Sequence, residues 1–244
     1  MEPFTLRSDH LERYRQHGYA LVEGVFSPEE CQKALRAADA LHARGQIENC
    51  FSAVPASDAG GDILKVYPRM MHPHRVDEVF LSFLKHPHVV AILEQLLGQE
   101  AVGIQSMFYW KPPGAKGQAF HQDSYYVRGE PDTCIAAWTA LEDTDEQNGG
   151  LIVCEGVKEA PLLEMVPTDT RKSFTDTAVT PPSDAVPRTI RMHAGDSLFF
   201  GGRVIHGSEP NTSLNRFRRS LICHYVGVDT REMSSFYQPS VPLR

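Results

Sequence analysis

The residues His121-Gln122-Asp123 have a clear capacity for chemistry. On an extended segment, residues i and i+2 point to the same face, so His121 and Asp123 present an imidazole and a carboxylate to one ion. A second histidine in a strand-turn context stands at His206-Gly207-Ser208, just after the run Ser197-Leu198-Phe199-Phe200-Gly201. Two histidines and one carboxylate on one face of a metal leave three coordination positions open, which is the ligand pattern of non-haem Fe(II) oxygenases. Beyond His206, a turn rich in Pro and Asn leads into Arg216-Phe217-Arg218-Arg219 and an apolar run. An arginine at the start of the strand paired with the His206 strand could reach back into the barrel. Its planar guanidinium binds a carboxylate through two parallel hydrogen bonds. A co-substrate that chelates iron at one end needs such an anchor at the other. A solvated strand edge accounts for Arg216 or Arg219.

The chain has eleven histidines, and this pattern uses two of them. His10, His17 and His42 lie in polar helical or loop contexts. His72-Pro73-His74 and His86-Pro87-His88 have an H-x-H spacing but no evident third ligand, and capping explains the second pair. His193 and His224 lie within or beside β-like runs and read as packed.

The elements that must hold these groups fall into two textures. Residues 1–100 carry the helical signals. Ser27-Pro28-Glu29-Glu30 is a capping box with Pro at the first helical position, and Gly45 supplies the stop. Further helices are expected over 76–85 and 87–97. From residue 102 the texture changes to β-like runs at 102–110, 133–141, 150–154, 189–192, 197–201 and 220–228. The stretch 166–188 holds Pro167, Pro181, Pro182 and Pro187 and reads as a lid or binding loop. The order fits one domain over 1–244, mainly β with flanking helices packed on an antiparallel barrel or jelly roll.

Composition narrows the class of partner. The 244 residues carry a net charge of −7, which argues against a nucleic-acid or anionic-membrane surface. No stretch approaches the ~18–20 apolar residues of a membrane span, and the N-terminus does not look like a signal peptide. Five cysteines without a C-x-x-C pair fit reduced thiols. These features predict a cytoplasmic protein, a monomer or homodimer, with a small-molecule substrate.

The motifs, taken in order, resemble the phytanoyl-CoA dioxygenase family of Fe(II)/2-oxoglutarate-dependent oxygenases. They run from Gly18-Tyr19-Ala20-Leu21-Val22 through Lys111-Pro112-Pro113-Gly114, His121-Gln122-Asp123, Trp138 and Glu146-Gln147-Asn148-Gly149-Gly150. They continue with Gly195-Asp196 and His206-Gly207-Ser208 and end at Phe217-Arg218-Arg219-Ser220. The resemblance implies a double-stranded β-helix, the cupin-like jelly roll, using Fe(II), 2-oxoglutarate and O2. It implies His121, Asp123 and His206 as iron ligands, and Arg218 with Ser208 on the distal carboxylate of 2-oxoglutarate, with Arg216 as a weaker rival. Gln122, Trp138, Met107 and Tyr109 match pocket positions, and Lys65 resembles a lysine of an upstream strand that approaches the co-substrate. Halogenating relatives replace the carboxylate with a small residue, so Asp123 argues against halogenation. Where relatives commonly carry a Pro-Gly-Ser-His turn near the substrate entrance, this chain has Cys154-Glu155-Gly156-Val157-Lys158. The substrate is therefore not carried over, although a secondary metabolite is favoured over an acyl-CoA thioester. The implied reaction is hydroxylation of an unactivated C–H bond, with desaturation or cyclisation as variants. The rivals are a cupin-like metalloenzyme that does not use 2-oxoglutarate and an inactive binding module.

Overall fold

The computed structural model describes residues 4–158 and 160–244. Two antiparallel sheets face each other. Their strands, in chain order, are β1 Tyr19–Val22, β2 Met70–Met71, β3 Ala101–Tyr109, β4 Gln118–His121, β5 Ile135–Ala140 and β6 Leu151–Glu155. The rest are β7 Val186–Thr189, β8 Ser197–Gly201, β9 His206–Ser208, β10 Ser220–Gly227 and β11 Val241–Pro242. The larger sheet runs β1-β8-β5-β10-β3-β11, with β2 also on β3, and the smaller runs β7-β6-β9-β4. From β3 to β10 the chain alternates between the sheets, apart from the added strand β7 on the smaller one. That alternation is the winding of a double-stranded β-helix, the jelly roll expected from the sequence.

The larger sheet is buried on both faces, and strand parity divides its side chains. Phe108, Ile135, Ala137, Phe199, Leu221, Cys223 and Tyr225 join one core cluster with the N-terminal helices. Their neighbours Ala136, Trp138, Leu198, Phe200 and Ile222 join a second cluster between the sheets, with Met107 and Tyr109 packed against it.

The helices are α1 Ser8–His17, α2 Pro28–His42, α3 Ile63–Val66, α4 Glu78–Leu84, α5 Pro87–Leu97 and α6 Ser124–Val127. α2 begins as its sequence dictates. The Glu30 amide donates to Ser27 Oγ at 3.2 Å, and the Ser27 amide donates to Glu30 Oε2 at 2.8 Å. Cys31, Ala34, Leu35, Ala38 and Leu41 form its buried stripe, at the spacing of an amphipathic helix. α5 matches the expected 87–97, and Gly98 ends it at φ 71.

Four local expectations are corrected. His86 makes no capping bond; its Nε2 meets Glu30 Oε1 at 3.2 Å. The strand expected at 189–192 lies at Val186–Thr189 on the edge of the smaller sheet, and His193 is exposed in the turn that follows. Lys65 stands in the short helix α3 and is exposed, not on a strand facing the cavity. The strand that begins at Ser220 pairs with β3 and β5, not with the His206 strand, which pairs with β4 and β6. All five cysteines are buried and free. Among the described residues, no helix is long and apolar enough to cross a membrane.

Candidate active site

The register of the smaller sheet brings the two predicted histidines together. β9 pairs with β4 so that His206 lies directly opposite His121, and their ring centroids are 4.1 Å apart. Asp123 is not on the strand, because β4 ends at His121 and Asp123 already has helical backbone as the N-cap of α6. It nevertheless stays on the same site. Asp123 Oδ1 is 3.7 Å from Nε2 of His121 and 3.7 Å from Nε2 of His206. One ligand atom from each of the three buried residues lies within 4.8 Å of the others, and no other such metal-ready group occurs among the described residues.

The backbone fixes which nitrogen each histidine offers. His121 Nδ1 meets the Ala119 carbonyl at 2.9 Å, and His206 Nδ1 meets the Val204 carbonyl at 2.9 Å. A carbonyl only accepts, so Nδ1 carries the proton in both rings and the Nε2 lone pairs turn toward Asp123. Burial and the neighbouring His206 push His121 down to about 4, which keeps it neutral at pH 7. The Asp123 carboxyl is held well below its usual range by His206 and His224, against the opposing effect of burial.

His224 is the chief surprise, because its place in a β-like run reads as plain packing. Its Nε2 donates to Asp123 Oδ2 at 3.0 Å, fixing the carboxylate from behind while Oδ1 faces the two ligand histidines. The pairing of β10 with β3 slips by one residue between His224 and Tyr225. Such bulges re-aim side chains next to functional sites. A sequence signal existed, since His224 shares strand parity with Arg218, Ser220 and Ile222.

A cavity of about 470 Å³ opens over this triad. Gln105, Met107, Tyr109, Gln118, Trp138 and Ile222 line its inner part. Met107, Tyr109 and Trp138 therefore line the cavity over the triad. Gln122 does not, because its alternate parity turns it away from the cavity. It donates to the Pro161 and Arg203 carbonyls at 3.1 and 2.8 Å and accepts from the Leu163 amide at 2.9 Å. Gln118 stands at the site instead, with its Nε2 3.1 Å from His121 Nε2. Of the aromatic residues 108, 110, 125, 126 and 199, Tyr126 lines the cavity, whereas Phe108, Trp110 and Phe199 belong to the core on the helical side.

Arg218 is 5% exposed and lies behind Tyr109 and Trp138, 5.9 and 5.3 Å from their ring centroids. Its Nη1 donates to Ser220 Oγ at 2.7 Å and its Nε to the Gly149 carbonyl at 3.2 Å. Burial pushes it down to about 10, so it remains a cation at neutral pH, with no carboxylate in ion-pair range among the described residues. Arg216, its rival, clamps Asp145 on the surface through two bonds of 2.8 and 2.9 Å.

Ser208 is not bonded to Arg218. Its hydroxyl accepts from Lys111 Nζ at 2.7 Å, and Lys111 also donates to the Gly149 carbonyl at 3.1 Å. Burial beside Arg218 pushes the Lys111 ammonium well below its ordinary value. A Cβ at Gly149 would lie 2.7 Å from the Glu209 carbonyl oxygen and 2.8 Å from Lys111 Cε, so only glycine lets this carbonyl serve both Lys111 and Arg218. Lys111 shares parity with Met107 and Tyr109, which was the sequence signal for it.

Fold and site together define a non-haem metal oxygenase of the double-stranded β-helix class. Residues 14–220 match the family model described as phytanoyl-CoA dioxygenase. A probable phytanoyl-CoA dioxygenase of Caenorhabditis elegans is 30% identical over 250 residues, which cover 93% of this chain and 78% of the relative. Among solved structures, the epimerase SnoN in complex with Fe3+, alpha ketoglutarate and nogalamycin RO superposes with a TM-score of 0.71 at 21% identity. That match covers 92% of this chain and 85% of SnoN. EctD from S. alaskensis with bound Fe gives 0.73 at 18%, covering 97% and 82%. The chain belongs to the phytanoyl-CoA dioxygenase family, and its class is that of the Fe(II)/2-oxoglutarate-dependent dioxygenases.

Proposed function

We propose that the protein hydroxylates an unactivated C–H bond of a small molecule, with His121, Asp123 and His206 holding Fe(II) and Arg218 holding the distal carboxylate of 2-oxoglutarate. The observation that carries this reading is the convergence of the three ligand atoms within 4.8 Å beneath a cavity backed by a buried, uncompensated arginine. The donor set fits the metal, because two neutral imidazole nitrogens and one carboxylate are the facial set that non-haem iron takes. When bound, iron with 2-oxoglutarate and O2 supplies the oxidant for the C–H bond and releases succinate and CO2.

The protein's part is to orient and to exclude water. His224 fixes the carboxylate, the Ala119 and Val204 carbonyls fix the rings, and Lys111 holds Ser208 at the co-substrate end. Thr175, Asp176 and Thr177 of the 166–188 segment line the cavity, which supports that segment as the cover over the reacting groups. The one domain expected over 1–244 belongs to the same reading. A cavity of about 470 Å³, to be shared with 2-oxoglutarate, favours a small metabolite over the body of an acyl-CoA thioester.

The test is an anaerobic titration of Fe(II) protein with 2-oxoglutarate, followed by the visible charge-transfer band of the complex and by succinate release in air. Arg218→Ala should raise the 2-oxoglutarate needed for half-saturation by about tenfold or more, the worth of a buried charge-assisted pair. Arg216→Ala should leave it unchanged. No band with intact metal-loaded protein would overturn the reading in favour of a cupin-like metalloenzyme without 2-oxoglutarate.

A further inference from the structure

The mouth of the cavity is built differently from its floor. Among its lining residues Tyr126 and Phe236 are exposed aromatics with Tyr237 buried beside them, and the exposed charged groups are Arg69 and Asp176. Arg69 stands just before β2, with its guanidinium carbon 5.9 Å from the Phe174 ring centroid. It also lines an adjoining cavity of about 290 Å³, which it shares with Tyr109, Lys111 and Arg218.

Nine other arginines (7, 13, 171, 188, 191, 203, 216, 219 and 244) are in ion pairs with carboxylates. Among the described residues, no carboxylate lies within 4.0 Å of Arg69, not even Asp176 on the same rim. The charge of Arg69 works weakly against the rise that burial imposes on the Tyr126 and Tyr237 phenols. Arg218 also lacks a carboxylate, but it lies behind Tyr109 and Trp138, and the co-substrate is its partner in the function proposed above. Other arginines without a carboxylate partner exist on the surface, and Arg69 is itself exposed; what sets it apart is that, among the described residues, it is the one arginine lining the cavity over the triad.

We infer that the substrate is a small monocarboxylic acid whose carboxylate rests on Arg69 and whose hydrocarbon body fills the aromatic rim above the metal-ligand triad. This inference rests on the reading of the cavity as an oxygenase active site and narrows it to a substrate class. A guanidinium grips a carboxylate through two parallel hydrogen bonds, which a neutral amide cannot match. The rim aromatics supply apolar area at small entropic cost. Asp176 repels additional negative charge, which favours a monoanion over a polyphosphate. It also offers an acceptor to a donor group on the same molecule.

The experiment uses the full chain loaded with Fe(II) and 2-oxoglutarate under nitrogen. Benzoate, cyclohexanecarboxylate and octanoate are titrated in calorimetrically, each beside its primary amide. At least one acid should bind about tenfold or more tightly than its amide. Arg69→Ala should remove that difference, Arg69→Lys should keep part of it, and neither should change the affinity for 2-oxoglutarate. Equal binding of acids and amides, no binding of any acid, or weakened 2-oxoglutarate binding in Arg69→Ala would each overturn the inference. Because 2-oxoglutarate binding is measured in the same samples, its failure in the unmodified protein sinks the functional reading. Its success without acid preference sinks only the substrate class.

Discussion

His224 shows what one residue adds to a site that its ligands alone would leave loose. A carboxylate on a single helical turn can rotate, and the hydrogen bond to Oδ2 removes that freedom while leaving Oδ1 facing His121 and His206. His224→Phe should keep the fold, because the ring volume is similar. It should weaken Fe(II) binding by about 10- to 100-fold, the usual effect of losing an outer partner. Equilibrium dialysis against a competing chelator would measure it, and an unchanged affinity would make His224 mere packing. His121, Asp123, His206 and Arg218 were legible in the sequence from residue type, spacing and resemblance. His224 and Lys111 were not, although strand parity marks both, because a bulge and a shared carbonyl decide where their side chains end. Lys65 misled because a short helix around it resembles a strand in so few residues.

At the scale of elements, the site depends on the pairing of β4 with β9, which sets His121 opposite His206. Gly117 stands just before β4, and a Cβ there would fall 2.2 Å from the Ser208 carbonyl oxygen, so the pair would have to part. Gly117→Ala should therefore lower stability by about 1–3 kcal/mol, as overpacking does, and should weaken metal binding at the same time. Thermal unfolding with and without Fe(II) would read both, and a variant with unchanged metal affinity would show that the register tolerates the methyl group. The long helices were legible because caps and apolar spacing write their boundaries, as with Ser27 and Gly98. Strands of three or four residues, such as β9 and β4, carry too few residues for a period of two to show. Their existence follows from long-range pairing that no local pattern records.

Over the whole molecule, buried histidines set the response to acid. Burial pushes His72 and His74 down to about 4, against an ordinary value near 6.5. Between those limits the unfolded chain binds protons that the folded chain does not, so stability rises with pH there. The contribution should be fully present above pH ~6.5 and fade as the pH falls toward about 4. Urea unfolding of the metal-free protein across that range should show the midpoint falling with acidity. His72→Phe should make the fall shallower, and a flat profile would argue that the two rings are already charged in the fold.

The pairing of a buried carboxylate with a distant buried guanidinium has a consequence for how the site fills. Taken as a pair, Asp123 and Arg218 carry no net charge. A divalent cation alone would place two positive charges in a medium that solvates them poorly, and a dicarboxylate alone would place two negative ones. Bound together they restore neutrality. Cation and dicarboxylate should thus recruit each other, each raising the other's affinity by the same factor.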